Sequence, residues 1–212
     1  MTGPGVSPGE SQDLTSTSLL ERARGQDKQA WERLVDLYTP LVYAWCRRSG
    51  LQPADAADVG QEVFRAVARG LTGFRRDRAG DTFRGWLRTI TRNKLRDFAD
   101  ARKRYPPGAG GSDAAYQVEQ LPDQEPEADL TADRQLLYQR ALEVVRTEFE
   151  ERTWQAFWLV VVEDVSADEA ARQLGVSLNA VYLAKSRVLR RLREEFADLI
   201  EDLPEPGPTS PG

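Results

Sequence analysis

Residues 105–133 divide the chain, because this long internal stretch cannot form one continuous helix. It holds four prolines, three glycines and seven acidic residues, and it has no lysine or arginine. Proline removes a backbone donor and glycine adds backbone entropy, so this composition favours a flexible acidic linker. The sequence therefore predicts two separately folded units, residues 19–104 and 134–200, joined by that linker.

Both flanking units show the spacing of amphipathic helices. Apolar residues recur at steps of three and four over residues 31–45, 59–71 and 83–98, and helical periodicity resumes near Arg134 and lasts to about Ile200. No segment shows the alternation typical of a strand. We therefore expect an all-α protein made of two small helical domains.

Proline, glycine and aspartate mark the expected ends of these elements. The stretch GLQPADAAD ends the first helix, and Asp55 or Asp58 is predicted to cap the next one. Residues 1–18 and 201–212 are dominated by small, polar and proline residues, so we expect a disordered tail at each end.

Charge is unevenly distributed along the chain. The 29 basic and 34 acidic residues give a formal net charge of −5, yet residues 61–104 hold 13 basic and 5 acidic residues. The linker is purely acidic, and residues 194–212 carry six acids and no base. Because the local field rather than the net charge attracts a polyanion, the sequence predicts basic surfaces that bind nucleic acid.

Composition also excludes several classes of function. With no histidine and one cysteine, the usual zinc sites and Ser-His or Cys-His catalysts are excluded, and we expect no metal, cofactor or catalytic residue. Cys46 has no partner for an internal disulfide, which fits a reducing cytoplasm. The chain shows neither a signal peptide nor the ~20 apolar residues that cross a bilayer, so no membrane association is expected.

The stretch SADEAARQLGVSLNAVYLAKSRVLRRLRE has the signals of a helix-turn-helix in the expected order. Ser166 and Glu169 form a capping box that opens the first helix. Gly175 permits the left-handed backbone that ends this helix, and Ser177 caps the second helix. A supporting core is predicted from Trp154, Phe157, Trp158, Val161 and Val162.

The second helix of this motif is expected to bury Val181 and Ala184 and to present the rest of its surface outward. The early residues of such a helix enter the major groove, and later cations contact phosphates. The candidate DNA-contacting residues are Ser177, Asn179, Ala180, Tyr182, Lys185, Ser186, Arg187 and Arg190. The alternative is an ordinary amphipathic helix with a solvated basic face.

A second basic feature precedes the linker. Arg84, Arg88, Arg92 and Arg96 recur every four residues, which predicts a cationic ridge along one side of the third helix. Phe83 and Trp86 lie beside the ridge. Cations interleaved with aromatic rings suit single-stranded or opened DNA, although core positions are the favoured interpretation for both rings.

Both basic regions lie in stretches that resemble the bacterial extracytoplasmic-function (ECF) sigma factors of the sigma-70 family. DAADVGQEVFRAVARGLTGF, followed by TFRGWLRTITRNKLRDF, is similar to region 2 of that family. FEERTWQAFWLVVVEDVSADEAARQLGVSLNAVY resembles region 4. The resemblance covers residues 19–104 and 134–196, and the joint occurrence is more specific than either half.

The resemblance implies a transcription initiation factor with no catalysis of its own. Such proteins bind core RNA polymerase through its clamp and flap, direct it to −10 and −35 promoter elements and assist DNA melting. They act in the cytoplasm at the nucleoid, and an anti-sigma factor often controls them. Promoter DNA and polymerase are thus the expected partners.

By matching motif positions, the resemblance also implies roles for residues of the first unit. The polymerase clamp would be contacted by Asp58, Gln61 and Glu62. The loop Thr72–Thr82 would read the −10 element, with Asn93 near a flipped base. The −10 candidates are Arg75, Arg76, Arg84, Arg88 and Asn93.

The chain departs from the family pattern at two positions. Gly60 replaces the usual aliphatic residue before Gln61, at a cost of about 1 kcal/mol relative to alanine in a helix. The common opening TVKSR of the second helix reads AVYLA here, so that Tyr182 and Leu183 stand where polar residues are usual. Two alternatives therefore stay open, a stand-alone helix-turn-helix regulator and a polymerase-binding decoy without promoter activity.

Overall fold

The computed structural model describes residues 18–75, 77, 81–104 and 127–196. The first domain contains helices α1 (Leu19–Arg24), α2 (Lys28–Arg48), α3 (Pro53–Gly70) and α4 (Phe83–Arg104), with a 3₁₀ turn at Leu71–Gly73. The second contains α5 (Glu127–Arg146), α6 (Glu151–Val161), α7 (Ala167–Leu174) and α8 (Leu178–Phe196). No strand occurs among these residues, and the predicted all-α, two-domain fold is confirmed.

Local signals set the helix starts of the first domain. Ser18 Oγ accepts from the Glu21 N–H at 3.3 Å, and Asp27 Oδ1 accepts from the N–H groups of Gln29 and Ala30 at 2.9 and 3.1 Å. Each aspartate or serine satisfies donors that have no partner within the helix. The apolar pattern from residue 19 onward is therefore split into α1 and α2 by the turn before Asp27.

The predicted cap of α3 is wrong. The helix begins with Pro53 after Gln52, and neither Asp55 nor Asp58 occupies the capping position. Proline is favoured at a first helical position because its missing N–H would lack an intrahelical partner anyway. Asp55 instead accepts a hydrogen bond from Arg102 of α4 at 3.2 Å, which ties the two helices together.

An aromatic cluster closes the core of the first domain. The Phe83 ring meets the Tyr38 ring edge-on at 5.0 Å between centroids and lies 5.6 Å from Trp86, while Phe74 stacks 4.9 Å from Trp86. Phe83 is 1% exposed, so the interpretation of this ring as a core residue is confirmed. Trp86 is half-buried, and its ring packs over Gly70.

Helix α5 begins before the point at which we expected helical periodicity to resume. Residues 127–133 of the predicted linker belong to this helix, and Asp133 is buried within it. The rest of the predicted linker, the two tails apart from Ser18, and residues 197–200 lie outside the described residues.

The two domains pack against each other through α2 and α5. Leu137, Ala141 and Val145 of α5 are buried in a single apolar core shared with α2. Burial of this shared apolar surface is the main force that holds the domains together.

An ion network lies at the edge of this interface. Arg33 of α2 donates to Glu148 at 2.6 Å and to Glu195 of α8 at 3.1 Å, and Arg191 donates to Glu148 at 2.6 Å. Burial opposes ionisation of Glu148, yet hydrogen bonds from Arg191 and Arg33 hold the pKa of its carboxyl below its usual value. Burial raises the pKa of Glu195, which is 2% exposed.

Candidate nucleic-acid interface

The second domain contains the predicted helix-turn-helix, formed by α7 and α8. Ser166 Oγ accepts from the Glu169 N–H at 3.3 Å and starts α7, while Ser177 Oγ accepts from the Ala180 N–H at 3.1 Å and starts α8. Gly175 links them with φ of 63°. Both caps and the glycine turn are confirmed, although the Glu169 carboxylate contacts Gln173 rather than completing the capping box.

Small residues allow α7 and α8 to approach closely. Ala170, Ala171, Val181 and Ala184 are buried together, as predicted for the inner faces of the motif. The predicted supporting core is only partly correct. Trp154 and Phe157 are buried, but Trp158 is 36% exposed and Val162 is 42% exposed.

Helix α8 and its cap carry all eight candidate DNA-contacting residues. Asn179, Tyr182, Arg187 and Arg190 are exposed, Ser177 is exposed at the helix cap, and Ala180, Lys185 and Ser186 are half-buried. All eight lie on this helix or at its cap, but they do not share one side of it. Asn179, Arg187 and Arg190 lie on the exposed side, whereas Lys185 lies one turn after the buried Val181 and so nearer the core.

Two exposed leucines of α8 were missed by the sequence prediction. Leu178 is 37% exposed and Leu183 is 39% exposed, and both lie in the first two turns of α8. Helical spacing contained the signal, because Leu183 lies two residues from the buried Val181 and therefore points away from the core.

The candidate clamp-contacting residues lie on the exposed surface of α3. Asp58, Gln61 and Glu62 are all exposed, and Glu62 forms an ion pair with Arg65. They adjoin an apolar groove of about 800 Å³ between α2 and α3, which Gln61 itself lines.

Gly60 contributes directly to that groove. A Cβ at this position would meet only the Val42 side chain, at 3.9 Å, so the missing side chain leaves open space. The departure from the aliphatic residue of the family pattern therefore widens the groove instead of leaving a hole in the core.

The described part of the Thr72–Thr82 loop forms one wall of a separate polar cavity. This cavity of about 510 Å³ is lined by Phe74, Arg75 and Asp77 of the loop and by Trp86 and Thr89 of α4, among others. Asn93 is exposed one helical turn beyond Thr89. Arg76 lies outside the described residues, so only Arg75 of the loop cations can be placed, and its side chain binds the Thr72 carbonyl at 2.8 Å.

The predicted cationic ridge of α4 is only partly open, since Arg96 is exposed and Arg92 is half-buried, while Arg84 and Arg88 turn inward. The Arg84 guanidinium lies 3.5 Å from the buried carboxylate of Asp133, and its side chain is 13% exposed. Arg88 stacks on the Trp45 ring with 4.8 Å from its Cζ to the ring centroid. Both side chains face the interface with α2 and α5. The structure therefore does not bring them together with Arg75 and Asn93.

Asp133 explains why Arg84 turns inward. Its carboxylate also accepts from Trp45 Nε1 at 2.6 Å and from Arg48, so three donors surround one buried acid. A buried carboxylate needs such partners, because an unpaired charge away from water is costly. Four-residue spacing alone could not show that an acid from the predicted linker would meet the ridge.

The described residues offer no arrangement suited to a metal site, since no three His, Cys, Asp or Glu side chains converge. Burial raises the pKa of the lone Cys46 thiol to about 12, which leaves it protonated and unreactive at neutral pH. Within the same residues, no helix combines the length and apolar character that crossing a membrane requires.

Comparison with known proteins gives matches to both domains. The family model for Sigma-70 region 2 matches residues 34–105, and the model for Sigma-70, region 4 matches residues 150–192. The ECF RNA polymerase sigma factor SigD of Mycobacterium tuberculosis is 32% identical over 222 residues, which cover 92% of this chain and 97% of SigD.

Two further relatives span different shares of the chain. The ECF RNA polymerase sigma factor ShbA of Streptomyces griseus is 30% identical over 183 residues, covering 83% of this chain and 92% of ShbA. The ECF RNA polymerase sigma-E factor of Escherichia coli is 34% identical over 99 residues, covering 47% of this chain and 50% of that protein.

Proposed function

Since the chain belongs to the ECF sigma factors of the sigma-70 family and is a promoter-specific transcription initiation factor, we propose how its surfaces divide that task. Family members bind core RNA polymerase and promoter DNA without being catalysts. In our proposal the first domain engages the polymerase clamp and the −10 element, and the second domain engages the −35 element. The first unit is residues 19–104, and the second, which the sequence predicted to start at residue 134, begins with α5 at Glu127.

The observation that carries this proposal is the exposed outer face of α8. It combines an amide at Asn179, which suits adenine, with Arg187, which suits guanine or phosphate. Ser177, Ala180, Tyr182, Lys185, Ser186 and Arg190 complete the proposed −35 surface. The cap at Ser177 fixes where the helix starts and thereby which side chains lead into the groove.

For the −10 element, we propose that the cavity between the Thr72–Thr82 loop and α4 takes a base from the opened strand. Its aromatic wall at Trp86 and polar wall at Thr89 match what a flipped base needs, a stacking surface and hydrogen-bond partners. Asn93 and Arg75 flank this cavity, and Arg76 belongs to the same loop. Arg84 and Arg88 can contact the opened strand only after their contacts with Asp133 and Trp45 break.

For polymerase, we propose that the clamp binds the groove between α2 and α3 and that Asp58, Gln61 and Glu62 contact its polar edge. The flap would bind the second domain at the groove beside the exposed Trp158. Neither contact requires the outer face of α8, so polymerase and the −35 element can be bound together. We further propose action in the cytoplasm at the nucleoid, under an anti-sigma partner, and without catalysis or cofactor.

The clamp assignment is tested by titrating the purified chain with bacterial core RNA polymerase over a salt series, read by fluorescence anisotropy. We expect tight, saturable binding that Glu62→Lys weakens at least tenfold, because it places a cation where an acid meets the partner. Glu143→Lys is the matched control, since Glu143 is also an exposed acid paired with an arginine three residues away. Equal loss in both variants, or in neither, would reject the clamp assignment.

A further inference from the structure

The first turns of α8 expose an apolar strip, formed by Leu178, Tyr182 and Leu183. These side chains are 37%, 44% and 39% exposed. Among the described residues, only six large apolar side chains are this exposed, and half of them fall within these six positions. Such a concentration of apolar surface marks a binding site, because single exposed apolar residues are normally scattered.

Helix geometry places Leu183 at the centre of the outer face. Asn179, Leu183 and Arg187 follow one another at four-residue steps, so they form one row along the helix. The buried residues Val181 and Val188 lie on the opposite side. Tyr182 belongs to the adjacent row with Ser186, so its ring flanks Leu183 on one side.

The charge around the strip identifies duplex DNA as its occupant. No acidic residue occurs from Ser177 to Arg193, whereas Lys185, Arg187 and Arg190 follow the strip on the same helix. Arg187 and Arg190 are exposed, and they would contact phosphates while the strip enters the groove. If the partner were an apolar surface of another protein, its binding would not require this excess of positive charge.

In the major groove, the 5-methyl of thymine is the apolar group that base edges present. Resting on the proposed −35 role of α8, we propose that Leu183 and Tyr182 read thymine methyl groups in the upstream promoter element. Neither side chain carries a charged donor, whereas the family pattern has lysine at position 182 and serine at position 183. The strip therefore selects thymine by apolar contact where a charged donor would favour guanine.

The test uses the holoenzyme assembled from the full chain and bacterial core RNA polymerase. A duplex library with a randomised promoter segment is first selected for binding, which yields an upstream element for this chain. That element is then remade with deoxyuridine in place of thymidine, one position at a time. Uracil keeps the same pairing and lacks only the methyl group.

We expect at least one upstream thymine whose replacement by uracil weakens binding about fourfold, the factor that corresponds to losing burial of one methyl-sized group, ~0.8 kcal/mol. In Leu183→Ala or Tyr182→Ala, the ratio of thymine to uracil affinity should fall toward one. Val162→Ala is the matched control, because Val162 is an equally exposed apolar residue of the same domain outside α8.

The outcomes separate this inference from the function on which it rests. If the chain binds polymerase and selects an upstream element, but thymine and uracil bind equally at every position, the inference is overturned and the proposed function stands. A methyl effect that survives in both α8 variants also overturns it. Loss of polymerase binding in Leu183→Ala would assign the strip to polymerase instead, and absence of any selected element would count against the proposed −35 role itself.

Discussion

At the scale of single residues, Gly175 shows how one backbone angle positions a DNA-binding surface. Its φ of 63° lies in the left-handed region, and no atom within 4 Å would obstruct a side chain there. The need for glycine is thus conformational and not steric, since an L side chain is strained at this angle. The turn sets the direction in which α8 leaves α7.

We expect Gly175→Ala to lower the free energy of unfolding by about 1 kcal/mol through this strain. Gly73→Ala is the matched control, because it also has no neighbour within 4 Å but lacks a positive φ. Alanine at position 73 should be neutral or slightly stabilising. Urea unfolding of the three proteins checks the difference, and equal stabilities for the two variants would show that the turn tolerates a side chain.

At the scale of elements, the Ser177 cap positions α8, and the outer face of this helix is the surface proposed to contact DNA. Arg187 follows Asn179 and Leu183 in the central row of that face and is exposed. Its guanidinium is therefore placed for a base edge or a phosphate rather than for support of the fold. Substitution should affect DNA and leave the helix intact.

Arg187→Ala is expected to weaken holoenzyme binding to the upstream element about tenfold, which is the lower part of the range for a bidentate arginine–guanine contact. Binding to core polymerase should not change. Arg152→Ala, which removes an exposed arginine from α6, serves as the control for loss of positive charge. Promoter occupancy is measured by filter binding. If Arg187→Ala occupies the promoter as fully as the wild type, Arg187 does not belong to the DNA interface.

Local signals predicted most elements because they act within a few residues. Ser166, Gly175 and Ser177 each act on their own helix end, and the apolar spacing identified the inner faces of α7 and α8 correctly. The cap of α3 was mispredicted although its signal was local, because Pro53 starts the helix two residues before Asp55. The ridge prediction failed at Arg84 for a different reason, since this side chain meets Asp133, 49 positions further along the chain. Sequence periodicity gives the direction of a side chain within its helix, but it cannot give the partner that folding brings there.

At the scale of the whole molecule, Asp133 joins the two domains through donors on α2 and α4. Trp45 and Arg48 belong to α2, and Arg84 belongs to the proposed −10 surface. The carboxylate is 1% exposed, so these contacts form away from water, where charged hydrogen bonds are strong. The free chain thus holds Arg84 in an interface between its own domains.

Asp133→Ala should loosen the packing of α5 on α2, because it removes the buried carboxylate that Arg84 and Trp45 share. We expect a larger radius of gyration by small-angle X-ray scattering and tighter binding of a single-stranded −10 oligonucleotide by the free chain. Asp97→Ala is the control, since Asp97 is an exposed acid on α4 paired only locally with Lys94. If Asp133→Ala matched the wild type in both measurements, the domain interface would not depend on this carboxylate.

The engagement of Arg84 by Asp133 has a consequence for how two ligands influence each other. A ligand that needs Arg84 binds only the fraction of molecules in which the domains have separated, and its apparent affinity is reduced by that fraction. Any partner that prefers the separated domains raises the same fraction, even if it never touches the DNA. Polymerase and the opened promoter strand would then bind cooperatively through this one carboxylate, and each would strengthen the other's binding by the same factor.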